Sequence, residues 1–460
     1  MASPKPNILF ILADDMKARD LAHMPKTQRL LVDQGVEFDK PWVTRSLCCP
    51  SRATILRGQY THNHGVWVNV EPSGGFWNFL DQGLENSTIA TWLNAAGYDT
   101  ILIGKYLNRY GLDRNGNRAP STHVPPGWDE WHAWEGIYAG TGTSYKINEN
   151  GRIVTYQRSQ IHDTDLHAQT AENFIRTARN RPFFMYLAPN APHKPAYYAP
   201  RHADLFSSES LPRPSSFNEA DVSDKPQWVR NKPLLSSTKI QELTTLNRNR
   251  LRALQSVDEM VERLVNALRD TGELSNTYIV FTSDNGVYLG EHRLTAKGAA
   301  YNASPRVPLV IRGPGVPRGV TRSQMVLNND LAPTFASWAG VNPPNFVDGR
   351  SLKPLLTSNP PANWRTAFLV EHRRTPEEFA YVRAIPNYRA IRTARYSYVE
   401  YGTGEKELYD LDADPTELTN IFPRASQTLR SNLQRRLNEL KACARADTST
   451  TSCRRAEDGG

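Results

Sequence analysis

Four short apolar runs punctuate the chain, and each ends abruptly in polar residues. Ile8-Leu9-Phe10-Ile11-Leu12 leads into Ala13-Asp14-Asp15, and Thr100-Ile101-Leu102-Ile103 into Gly104-Lys105. Phe183-Phe184-Met185-Tyr186-Leu187 leads to Asn190-Ala191-Pro192-His193, and Tyr278-Ile279-Val280-Phe281-Thr282 to Ser283-Asp284-Asn285-Gly286. None alternates with polar positions, which is the pattern of strands covered on both faces in a parallel α/β sheet. Ligands of such sheets bind beyond the carboxyl ends of the strands, so the four polar ends are expected to meet in one crevice.

Helical periods fall between these runs, as right-handed crossovers require. Residues 25–34 carry Leu30 and Leu31 and stop at Gly35; residues 87–96 carry Ile89, Trp92 and Leu93 and stop at Gly97. The longest period spans 240–270, with Leu254, Val257, Val261, Leu264 and Leu268 at spacings of three and four. Segments 108–165 and 196–237 show no period and are expected to be long loops that shape a cleft. Beyond Pro360-Pro361 the texture changes to alternating runs over 388–392 and 396–401, a hairpin pattern, followed by a helix over 426–442. The predicted class is α/β: a mostly parallel central sheet flanked by helices, plus a smaller C-terminal antiparallel sheet with a helix. The predicted division is residues 1–360 and 361–460.

Composition agrees with this. The 460 residues, 39% hydrophobic and 10% aromatic, suffice for a large core. No apolar run approaches the roughly 20 residues that span a bilayer, and the opening residues 1–6 lack the apolar stretch of a signal peptide. A net charge of +8 favours anionic partners without separating sulfate esters, phosphate esters and nucleic acid. Arginines of the C-terminal third are interleaved with acids and apolar residues, which fits a solvated face rather than a nucleic-acid groove. Cys443 and Cys453 flank a polar tail. Their spacing suits a disulfide-closed loop and an oxidising, secreted or periplasmic setting, with two free thiols as the alternative.

The chemistry centres on Ser46-Leu47-Cys48-Cys49-Pro50-Ser51-Arg52, where two of the four cysteines stand together. A helix is expected to start at Pro50 and stop at Gly58, which puts Cys48 at an N-terminus that favours anions. Two readings of these residues stand: small buried hydrophobes at a turn, or a thiolate nucleophile facing an anionic substrate. Asp14, Asp15, Asp284 and Asn285 are hard oxygen donors at strand ends. Adjacent aspartates do not easily share a crevice as anions unless a cation neutralises them, Ca²⁺ or Mg²⁺ by ligand type. Each motif alone is also compatible with a turn or a helix cap, and it is their joint placement at strand ends that points to a metal site. Lys105 and Lys297 are candidate cations for a transferring anion, Arg52 would steady the nucleophile and metal shell, and His193 would protonate a leaving alkoxide. His62, Asn63, His64 and Trp77, close behind the nucleophile segment, are expected as cleft walls.

The spacing Cys-x-Pro-Ser-Arg-x-x-x-Leu-x-Gly, matched by Cys48, Pro50, Ser51, Arg52, Leu56 and Gly58, resembles the sulfatase signature. Gly104-Lys105-Tyr106-Leu107-Asn108, Ala191-Pro192-His193, Ser283-Asp284-Asn285-Gly286 and Leu408-Tyr409-Asp410-Leu411 follow in that family's order. The Cys-Cys-Pro-Ser-Arg form looks closest to the glucosamine-6-sulfatase and extracellular endosulfatase branch. The resemblance implies an alkaline-phosphatase-like fold and a sulfuric ester hydrolase acting on small-molecule or carbohydrate sulfates. It also implies Cys48 oxidised to formylglycine by a formylglycine-generating enzyme, and one Ca²⁺ on Asp14, Asp15, Asp284, Asn285 and the modified Cys48. Two positions depart from the pattern. Leu107 stands where many members have histidine, which leaves His64 as the expected base for sulfate release, and Asn302 stands where an acid is common. Phosphonate monoester or phosphodiester hydrolysis at the same site is the alternative, and an unmodified glycan-binding relative a third.

Overall fold

In a computed structural model describing residues 5–117, 119, 121–136, 143–177, 180–444 and 452–459, the four apolar runs lie side by side. The strands β1 (Asn7–Ala13), β2 (Val36–Phe38), β3 (Asp99–Gly104), β4 (Glu130–Glu135), β5 (Ser144–Glu149), β6 (Arg152–Gln157), β7 (Phe183–Ala188), β8 (Thr277–Ser283), β9 (Leu309–Arg312) and β10 (Val320–Arg322) form one sheet. Its order is β10-β2-β9-β8-β1-β7-β3-β4-β5-β6. The central five, β8-β1-β7-β3-β4, are all parallel, with Ile8 beside both Phe184 and Tyr278. Their carboxyl ends therefore point the same way. Antiparallel strands flank them on both sides.

Both faces of β1 are buried because each meets a helical layer. On one face Leu9 and Ile11 pack with Leu254, Val257 and Val261 of α3 (Ser237–Asp270) and with Ala168 and Phe174 of α2 (Asp163–Arg176). On the other, Ile8 and Phe10 pack with Ala53 and Leu56 of α1 (Cys48–Arg57) and Phe335 of α4 (Leu331–Ala339). Unbroken apolar strands follow from this two-sided cover.

Two sequence expectations change. Helix α1 begins at Cys48, so Pro50 sits third rather than first. Proline is tolerated there because first-turn amides have no intrahelical acceptor, and Gly58 still closes the helix at φ 68°. Segment 108–165 is not all loop, since it contributes β4 and the β5–β6 hairpin. The hairpin turns on Asn150 and Gly151, at φ 52° and 90°, an Asn-Gly pair that adopts positive φ readily. Segment 196–237 is irregular as expected, apart from short helical turns at Pro200–His202 and Gln227–Arg230.

Toward the C-terminus β11 (Ala367–His372), β12 (Tyr388–Thr393), β13 (Tyr396–Tyr401) and β14 (Lys406–Asp410) form an antiparallel sheet. It is covered by Leu433, Leu437 and Leu440 of α5 (Gln427–Ala442), whose first turn is capped by Ser426. This core also takes in Trp42, Tyr60, Tyr288 and Tyr301 from earlier in the chain. Cys443 and Cys453 are joined as a disulfide, while the polar link at 445–451 lies outside the described residues. No helix among the described residues is long and apolar enough to cross a membrane.

Candidate active site

Three backbone hydrogen bonds lock the strand ends together. Asp14 N–H donates to the Ala191 carbonyl (3.1 Å), Asp284 N–H to the Ala13 carbonyl (3.0 Å), and Lys105 N–H to the Ala188 carbonyl (2.8 Å). Asp15 turns with φ 65°, and its N–H donates to Asp284 Oδ1 at 3.1 Å. Helix α1 enters this crevice by its N-terminus. Cys48 Sγ lies 3.5 Å from Asp14 Oδ1 and 2.7 Å from Lys297 Nζ. Lys297 also pairs with Asp15, and Lys105 Nζ sits 2.6 Å from Asp14 Oδ2. One turn into α1, Arg52 Nε meets Asp284 Oδ2 at 2.8 Å and Nη1 donates to the Lys105 carbonyl at 2.8 Å. His193 Nδ1 lies 2.5 Å from the Lys194 carbonyl, which can only accept, so Nδ1 carries hydrogen and Nε2 faces Asp15 Oδ2 at 3.5 Å.

Three buried carboxylates thus stand against Arg52, Lys105 and Lys297. Burial alone would raise Asp14, but Lys105, His193, Arg52 and Lys297 outweigh it and hold its carboxyl far below the usual range. Asp15 is lowered in the same way, with Lys297 the main counterweight. Asp284 is pushed up to about 6 by burial and by the neighbouring Asp14 charge. Burial also pushes the Cys48 thiol up, despite Lys105 and Lys297. That weighs against an unmodified thiolate as nucleophile.

The residues fit a hard cation. Donor atoms of Asp14, Asp15, Cys48 and His193 lie within 4.8 Å of one another. Asn285 Nδ2 donates to Asp15 Oδ1 at 2.5 Å, while its buried Oδ1 has no hydrogen-bond partner among the described residues. An orphaned amide oxygen beside three carboxylates is the ligand chemistry of Ca²⁺ or Mg²⁺.

Above Cys48 opens a cavity of about 520 Å³. Lys105, Asn190, His193 and Lys297 line it with Cys48, and Glu71, Asn108, Arg109, Trp134, Phe379 and Tyr381 supply further wall. Four expected wall residues do not line it. The ten residues of α1 rise about 15 Å and carry the following turn away from Cys48. His62 there bonds Glu371 Oε1 (3.0 Å) and the Cys443 carbonyl (2.9 Å), and Asn63 Nδ2 donates to Asp348 Oδ2 (2.9 Å). His64 is locked between Thr54 Oγ1 (3.0 Å) and the Val66 amide (3.1 Å), and burial pushes it down to about 3. It is neither a wall nor a base for sulfate release. Trp77 Nε1 donates to the Leu112 carbonyl, and Arg114 covers its ring at 4.6 Å. Of the residues sequence reasoning missed, Asn190 follows a strand end and had a positional signal. Glu71, Phe379 and Tyr381 lie in segments without motif or period and had none.

The fold and this site define a class. The sulfatase family model matches residues 6–341, and that of the N-sulphoglucosamine sulphohydrolase C-terminal region matches 290–443. The chain belongs to the sulfatase family. Within it, the chain is 38% identical over 83% of its length to an extracellular sulfatase SULF-1 homolog of Drosophila melanogaster, covering 34% of that protein. It is 33% identical to the N-acetylglucosamine-6-sulfatase of Homo sapiens, over 96% of this chain and 85% of that one. It spans 34% and 53% of the length of the extracellular sulfatase homologs from fly and Caenorhabditis elegans. A solved structure described in complex with its substrate D-glucosamine-2-N,6-O-disulfate superposes with TM-score 0.78 at 26% identity, covering 95% of this chain and 97% of that one. A phosphonate monoester hydrolase of Agrobacterium radiobacter shares the fold, with TM-score 0.76 at 24% identity and 95% of each chain covered.

Proposed function

We propose that the chain hydrolyses carbohydrate sulfate monoesters of the glucosamine 6-sulfate type, the kind named for its human relative and, with a second sulfate, in the similar complex. The observation that supports this most is Cys48 at the foot of one cavity, within 2.7 Å of Lys297 Nζ and 3.5 Å of Asp14. When present, Ca²⁺ (or Mg²⁺) on Asp14, Asp15, Asp284, Asn285 and residue 48 supplies positive charge, and formylglycine at 48, made by a formylglycine-generating enzyme, supplies the hydroxyl nucleophile. Lys105 and Lys297 bind the sulfuryl oxygens and stabilise charge that grows there. Arg52 holds the Asp284 carboxylate in place. The Nδ1–H of His193 is spent on the Lys194 carbonyl, so in the neutral ring Nε2 carries no hydrogen, and the imidazolium, protonated at both nitrogens, is the form that gives its Nε2 proton to the leaving alkoxide.

Residues 1–360 would carry this chemistry and residues 361–460 a wall of the cleft. The Cys443–Cys453 disulfide supports a secreted or periplasmic setting. The test is sulfate release from an aryl sulfate by protein whose residue 48 is shown by mass spectrometry to be formylglycine. Activity is expected to vanish in Cys48→Ala and on chelation of the metal. Full activity in Cys48→Ala would refute the reading. A higher kcat/KM on an aryl phosphonate monoester would move the assignment to phosphonate ester hydrolysis.

A further inference from the structure

A second, smaller cavity abuts the one above Cys48. It measures about 70 Å³, and Lys297 and Tyr381 stand in the walls of both, so these two side chains form the partition. A buried water needs about 10–15 Å³, which gives this space room for about five water-sized atoms. That is the size of one sulfate and too small for a sugar ring. Tyr288 and Lys297 are buried, whereas Lys232, Arg293 and Thr295 are half-buried, and the cavity reaches solvent on their side.

Its wall is cationic. Lys232, Arg293 and Lys297 line it, and no acid does among the described residues. The Cys48 cavity, in contrast, mixes Arg109 and Lys194 with Glu71 and Glu377. Arg293 is held in place by its surroundings. Its backbone is left-handed at φ 60°, directly after His292 at φ 51°, a conformation that residues other than glycine seldom adopt and that clusters at functional sites. Its guanidinium donates to three carbonyls: Nε to Glu219 (2.8 Å), Nη1 to Lys232 (2.9 Å) and Nη2 to Ala220 (2.9 Å). All three acceptors are neutral. Of five N–H donors these bonds spend three, leaving one on each Nη of a planar group suited to oxyanions. Glu219 and Asp221 of the adjoining loop lie outside the wall, and Glu219 is already shared by His292 and Lys225. The Lys232 ammonium and the Tyr381 hydroxyl make no hydrogen bond among the described residues, so both are further donors. Gathered cations without an acid raise the local concentration of anions.

We infer that this cavity is a second anion site, which takes the sulfate product behind Lys297 and passes it to solvent past Arg293 and Lys232. The exit role rests on the sulfatase reading above; the anion site does not. A sulfate crossing the partition exchanges one set of cations for another, and the Cys48 cavity is left clear for the next substrate.

Two experiments on the full chain test this. In crystals soaked with selenate, selenium anomalous scattering is expected to place an anion within hydrogen-bonding distance of Arg293. Lys232→Glu, which puts an acid into the wall, should remove it, and Lys232→Met should lower its occupancy. With the matured protein and an aryl sulfate, inhibition by added sulfate is expected to be mixed: sulfate competes at the Cys48 site and, from the second site, lowers kcat. Lys232→Glu should weaken the kcat component at least tenfold and change the competitive component less than threefold. No selenate in the cavity, or selenate that survives Lys232→Glu as an adventitious ion only, overturns the anion site. Purely competitive inhibition in the parent overturns the exit role and leaves the sulfatase reading intact. Equal weakening of both components in Lys232→Glu marks a long-range charge effect and overturns it as well. Failure of the matured protein to release sulfate overturns the sulfatase reading and the exit with it, while selenate still decides the site.

Discussion

Replacing Lys297 with alanine separates transition-state stabilisation from construction of the metal site. Lys297 is 3% exposed, and its ammonium touches both Asp15 and Cys48 Sγ, the latter at 2.7 Å. That sulfur stands in for the oxygens of the matured side chain, so a sulfuryl group attached there lies close to the ammonium. Two unit charges about 4 Å apart interact by about 4 kcal/mol at an effective dielectric constant of about 20. Only part of a charge moves onto the sulfuryl oxygens during reaction, so the loss is about 3–4 kcal/mol, a fall of roughly 10²–10³ in kcat/KM. That matches removal of one preorganised donor. Calcium affinity should behave oppositely. The ammonium occupies an oxygen of Asp15 and competes with a cation for it, so Lys297→Ala should bind Ca²⁺ as tightly as the parent or more tightly. The assays are steady-state sulfate release and calcium titration on the same preparation. A loss of activity below threefold would refute the role. So would calcium affinity weakened tenfold or more, with activity restored by excess Ca²⁺.

Three further outcomes follow from the same structure. His193→Ala should cost about 10²–10⁴ in kcat on an alkyl sulfate and far less on a nitrophenyl sulfate, whose leaving group needs no proton; equal losses on both would contradict the acid role. Arg365 meets both oxygens of Asp330 at 2.7 Å and Glu457 Oε2 at 2.8 Å, all fully buried, so Arg365→Met strips the Asp330 carboxylate of its cation, while Glu457 keeps Arg350 at 2.8 Å, and should destabilise by about 3–5 kcal/mol. Urea unfolding measures this, and a change under 1 kcal/mol would exclude it. His62 is a pH-dependent strut: burial lowers its pKa but Glu371 outweighs burial, so the folded value is raised. The stability it adds is fully present below its unfolded pKa, near 6.5, and is lost as pH rises through the folded one. The stability gap between parent and His62→Gln should narrow from pH 6 to pH 9, and a widening gap would reverse the sign.

The sequence by itself determined where the chemistry gathers. Strands apolar on every residue must be covered on both faces, and parallel strands point their carboxyl ends the same way. The acids of β1 and β8, Lys105 after β3 and His193 after β7 were therefore bound to share one edge of the sheet. A helix-start pattern at Pro50 placed Cys48 near a helix N-terminus, though two residues off the observed start. The β5–β6 hairpin was also within reach, through Asn150-Gly151 between alternating runs. Tertiary structure alone decided the cleft walls. His62, Asn63 and His64 are near Cys48 in sequence, but a straight helix carries them to its far end and into contacts with Glu371, Asp348 and Thr54. Phe379 and Tyr381, some 330 residues downstream of the nucleophile, return to its cavity. Local pattern encodes which face of an element is buried. Which distant loops meet over a strand end depends on long-range packing, and no spacing along the chain records it.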